Sequence, residues 1–70
     1  MKDLQKALEN LNAFHNVYSI ERYMNGALVL KASDMKVRNG IVTYSHNVKD
    51  ILKVIYRITD EYLLGLDVHR

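Results

Sequence analysis

The chain has 70 residues, no cysteine and no proline, and its ten Lys or Arg against eight Asp or Glu leave a formal net charge of +2. This length makes one domain, residues 1–70, without disulfides or thiolate chemistry. The charge is too small to imply nucleic acid by itself, and no apolar run reaches the ~18 residues of a membrane span.

A domain this short buries only about 60% of the surface its unfolded chain exposes, so its stability is marginal. Small domains add disulfides, a metal or oligomerisation. His15, His46 and His69 lie far apart and offer no metal-ligand spacing. Oligomerisation is the remaining staple. The opening MKDLQKALENL is amphipathic and broken by acids, which is not a signal-peptide pattern, so a cytoplasmic location is expected.

Residues 2–14 read as a first helix. Leu4, Ala7, Leu8, Leu11 and Phe14 recur at helical spacing, a stripe of roughly 120° that suits one buried surface. From Val17 to Ser45 the period falls toward two. Asn25-Gly26 and Asn39-Gly40 are hairpin signals, because both residue types tolerate the positive φ of a type I′ turn. A third turn is expected at Ser33-Asp34. The reading is an antiparallel meander with strands near 17–24, 27–32, 35–38 and 41–45, the last two merging if a bulge joins them.

Two-residue turns set a register. Tyr23 then faces Leu28, Glu21 faces Leu30, Leu30 faces Val37, and Val37 faces Val42. One face carries Tyr23, Leu28, Leu30, Ala32, Met35, Val37, Val42 and Tyr44 and is expected beneath the helices. The other collects Tyr18, Ile20, Arg22, Met24, Val29, Lys31, Lys36, Arg38 and Ile41, with four cations and no acid. An apolar centre rimmed by Arg and Lys is the expected partner-binding surface.

Val48–Leu64 reads as the second and greasier helix. Asn47 is its N-cap, Asp50 completes a capping box, and Gly65 is expected to end it. Its apolar arc spans roughly 200°, twice the stripe of a helix resting on one core. Val54 and Ile58 on one edge, or Tyr56 and Leu63 on the other, are therefore expected dimer contacts. Lys49, Lys53 and Arg57 form a basic row on the polar side, an alternative nucleic-acid contact.

No residue set carries a reaction signature. Ser45-His46-Asn47 contains nucleophile and base types, but adjacent residues point apart, and a triad is built in space. Asp60 and Glu61 splay by about 100° on a helix. The glycines form no phosphate cradle. Neither catalysis, a cofactor, a metal nor a small-molecule substrate is expected.

The order helix, antiparallel strands, helix in about 70 residues is similar to the layout of double-stranded RNA-binding domains. That family carries a lysine cluster at the start of the second helix. Here the position reads Asn47-Val48-Lys49-Asp50, and Ile, Val and Tyr replace the small residues of that helix. No site residue transfers.

The expected fold is α+β, a three- to four-stranded antiparallel meander with N- and C-terminal helices on one face. The expected function is a small non-enzymatic protein-binding module of the inhibitor or adaptor type, of the sort mobile elements encode, that self-associates as a homodimer. The alternative is nucleic-acid binding, through Arg22, Lys31, Lys36 and Arg38 with Tyr18 stacking, or through the basic helix row. A strictly monomeric protein with Ile20, Val29 and Ile41 inside its own fold would defeat the leading expectation.

Overall fold

The computed structural model describes residues 2–68. Helix α1 spans Lys2–Phe14, strand β1 Tyr18–Arg22, strand β2 Leu28–Ala32, strand β3 Ile41–Ser45 and helix α2 Val48–Val68. A short 3-10 turn, Arg38–Gly40, precedes β3. The α-β-β-β-α order is the expected α+β arrangement, and the sheet is antiparallel in the order β1-β2-β3.

Both helices pack on one sheet face. Leu4, Ala7 and Leu11 of α1, Leu28 and Leu30 of β2, and Ile51 and Ile55 of α2 form the buried core. The two helices run in the same direction. Asp3 and Leu4 share a cleft with Val48 and Leu52, while Phe14 stacks on Tyr62 with ring centroids 6.0 Å apart. The longer α2 therefore continues past the end of α1.

The first hairpin departs from the expected register. Gly26 N–H donates to the Tyr23 carbonyl at 2.9 Å, and Tyr23 N–H donates to the Ala27 carbonyl at 2.8 Å. Three residues, Met24 to Gly26, thus form the turn, with only Gly26 at positive φ (+88°). Asn25 is not among the positive-φ residues, and its side-chain oxygen accepts the Ala27 N–H at 3.0 Å. This is a three-residue hairpin rather than a type I′ turn. Ile20 then pairs with Leu30 and Tyr18 with Ala32. A one-residue slip sends every side chain of a strand to the other face. Tyr18 and Ile20 accordingly pack against the core, and Tyr23 leaves it.

Residues 35–38 form no strand. Arg38 (φ 54°), Asn39 (φ 55°) and Gly40 (φ 80°) are left-handed in succession, which turns the chain before β3 begins. The positive φ expected at Asn39-Gly40 is present, but the pair does not close a hairpin. Between β2 and β3, Thr43 faces Leu30 and Ile41 faces Lys31, so Val42 is the extra residue of a bulge. Val42 packs on the core, and Tyr44 falls on the opposite face, across from Val29.

Asn47 caps α2 by accepting the Lys49 N–H at 3.0 Å. Asp50 reaches the cap through an intermediary. Ser45 Oγ accepts the Asn47 N–H at 3.0 Å and donates to Asp50 Oδ2 at 2.8 Å. Gly65 does not end the helix, which runs on to Val68. The exposed edge of β1 is blunted by Asn12, whose amide both donates to the Tyr18 carbonyl and accepts its N–H, each at 3.0 Å.

Candidate partner interface

Strand β2 is the centre of the sheet and is buried on both sides. Leu28 and Leu30 face the helices, yet Val29, pointing the other way, is only 1% exposed and Ala27 only 3%. Among the described residues no helix covers that second face. Its cover is local: Tyr23, Asn25, Ile41 and Tyr44 surround Ala27 and Val29 in a recess of about 200 Å³. Tyr23 is 42% exposed and Tyr44 70%. The two rings therefore shield the floor while offering much of their own surface to solvent. Aromatic residues with an apolar body and a polar tip suit such a half-wet position.

The expected partner-binding set is divided by the slip. Val29, Lys31 and Ile41 do lie on the open face. Val29 is floor rather than contact surface. Tyr18 and Ile20 turn to the helix side, and both pack on the core. Arg22 faces Leu28 on that same side, at the exposed end of β1. Met24 is fully exposed at the turn. Lys36 and Arg38 lie on the connection between β2 and β3, where Arg38 borders a cleft with Ile41 and Tyr44. Glu21 moves to the open face and approaches Lys31 to 3.7 Å. The four cations thus do not share one acid-free face.

The strand itself held a signal for this. Ser19 and Glu21 alternate with Tyr18 and Ile20. Two-residue turns would have set Glu21 against Leu30 in the core, where an unpaired carboxylate is costly. The binary pattern of β1 favours the observed register and brings Tyr23 outward, while the Val42 bulge does the same for Tyr44.

On α2, Val54 and Ile58 are half-buried and pack against the core, whereas Tyr56 (52%) and Leu63 (46%) remain exposed. Lys49, Lys53 and Arg57 are exposed as a row along the helix.

At the far end of the sheet lies a polar-aromatic cluster. Tyr18 and Tyr62 share a hydrogen bond between hydroxyls at 3.1 Å, and His15 Nε2 meets Asp34 Oδ2 at 2.8 Å. Burial, reinforced by the bond to Tyr62, raises the Tyr18 phenol above the ordinary tyrosine pKa. Packed against the core and tied to the Tyr62 hydroxyl, Tyr18 is poorly placed to stack on a base. Ser45 is committed to the helix cap, and His46 Nε2 lies 3.3 Å from the Asn25 carbonyl, where an imidazole N–H donates. His15 and His46 thus have separate partners, and His69 lies outside the described residues. Asp60 and Glu61 are both exposed. Among the described residues, no helix is long and apolar enough to cross a membrane.

No family model matches the chain, and neither a curated protein nor a solved structure matches it.

Proposed function

We propose that this chain is a small non-enzymatic protein-binding module of the inhibitor or adaptor type, that it self-associates, and that it meets its partner with the open sheet face. One observation supports this reading above the others. Two exposed tyrosines flank an apolar recess on the sheet face that neither helix covers. Interface hot spots are enriched in tyrosine and centre on pockets that exclude water. The recess is the size of a single side chain, so the partner is an apolar anchor residue on another protein rather than a free metabolite.

A selection of displayed random peptides against the folded chain tests it. Enriched peptides should share an aromatic or branched aliphatic anchor. Their affinity should fall tenfold or more for Tyr44→Ala, the loss of about 1.4 kcal/mol or more that a hot-spot tyrosine carries. No enrichment, or binding indifferent to Tyr44, would remove the proposal.

The second reading is nucleic-acid binding, favoured by the exposed Lys49, Lys53 and Arg57 row. Three phosphate contacts predict a log–log salt slope near −2.7, or about 40-fold weaker binding between roughly 50 and 200 mM salt. A salt-independent affinity, or none at either salt, excludes it.

A further inference from the structure

Helix α2 carries two adjacent apolar stripes. The first faces the sheet and α1 through Ile51, Ile55 and Ile58. The second is Leu52, which also packs on the edge of the core beside α1, then Tyr56, Thr59 and Leu63, spaced by 4, 3 and 4 residues. That alternation is the seam spacing of paired helices. Tyr56 and Leu63 are about half exposed on the outer surface of the helix layer. The Thr59 hydroxyl donates to the Ile55 carbonyl at 2.8 Å. Its polar atom is thus satisfied within the helix, and its methyl can be buried without leaving a donor unpaired.

We infer that this second stripe pairs with its own copy in another chain, the two α2 helices running antiparallel. The inference rests on the self-association part of the proposed function and names its surface. Charge selects the occupant and the direction. Lys53 and Asp60, seven residues apart, flank the stripe on its solvent side. An antiparallel pair sets Leu52 against the partner copy's equivalent of Leu63, and Tyr56 against that of Thr59. It brings each Lys53 beside the other copy's Asp60, twice by symmetry. A parallel pair would put the two Lys53 and Asp60 flanks on opposite sides of the seam, where neither ion pair can form. Opposite charges across an interface fix register. Four seam residues per chain lie well below the ~800 Å² per partner of a standard interface, so the association is expected to be transient and concentration-dependent.

Sedimentation velocity on the full chain over a concentration series tests this. The weight-average mass should climb from one chain toward two. Leu63→Glu, at an exposed site, should abolish the climb while circular dichroism stays unchanged. Lys53→Glu should weaken association tenfold or more, and Lys53→Glu with Asp60→Lys should restore it, because only the antiparallel register re-forms both ion pairs. A mass of one chain at every concentration would end both this inference and the self-association reading. A climb indifferent to Leu63→Glu, or no recovery in the double swap, would overturn this surface alone. Peptide binding at Tyr44, measured on the same variants, reports separately on the sheet face.

Discussion

Leu30→Ala removes a large share of the folding free energy of this domain. Leu30 is fully buried at the middle of β2, between Ile20 and Thr43 on its neighbours and beneath both helices. Truncating a buried leucine costs about 2–5 kcal/mol, the upper end applying where the surroundings cannot collapse into the cavity. Here β1 and β3 hold the site from both sides, so about 4 kcal/mol is expected. A domain of this length has roughly 4–10 kcal/mol to lose. Urea unfolding of Leu30→Ala beside Leu64→Ala checks this. Leu64 is 62% exposed, and its loss should fall within about 0.5 kcal/mol of zero. A Leu30→Ala cost below about 1 kcal/mol would place Leu30 outside the core.

Two glycines should respond to alanine with opposite signs. Gly40 sits at φ +80°, and a Cβ there would lie 2.9 Å from the Ala32 carbonyl oxygen. That carbonyl also accepts the Met35 N–H at 3.2 Å, so it cannot retreat without loosening the turn. The left-handed conformation costs about 1–2 kcal/mol for a residue with a Cβ. With the clash added, Gly40→Ala is expected to lose about 2–3 kcal/mol. Gly65 lies inside α2 with open space around the Cβ position. Gly65→Ala should gain about 0.5–1 kcal/mol. Thermal melts of the two variants decide the matter. A stabilised Gly40→Ala would mean that the left-handed turn before β3 is absent.

The element order was readable because its signals are local and strong. The α1 stripe, the α2 stripe and the Asn47 cap each depend on residues within one or two turns of one another. The sheet faces were harder to read because they depend on counting residues through a turn. Asn25-Gly26 fits a two-residue hairpin and equally the last two positions of a three-residue one. The extra residue, Met24, reverses the whole of β1. Likewise Asn39-Gly40 adopts the backbone its residues favour, but Arg38 joins it in the left-handed region, which nothing in an arginine announces. The Val42 bulge then keeps Val42 on the core and sends Tyr44 to the opposite face, where a regular strand would keep both on one.

For the candidate surfaces the consequence is specific. The wide apolar arc of α2 implied an edge left over, and Tyr56 and Leu63 are exposed. Packing decided that Val54 and Ile58 are covered and that Tyr56 and Leu63 are not. On the sheet, Val29 is buried and Ile20 is half-buried on the helix side, so two of the three aliphatics expected at the centre of the partner surface are not presented there. The exposed aromatic residues on that face are instead Tyr23 and Tyr44, which sequence spacing had assigned to the core.

The most direct test of the partner surface is a two-dimensional amide NMR titration with a selected peptide. The open-face reading predicts shift changes at Tyr23, Ala27, Val29, Ile41 and Tyr44, with Lys49, Lys53 and Arg57 unmoved. Changes centred on the α2 basic row, with the sheet face silent, would contradict it.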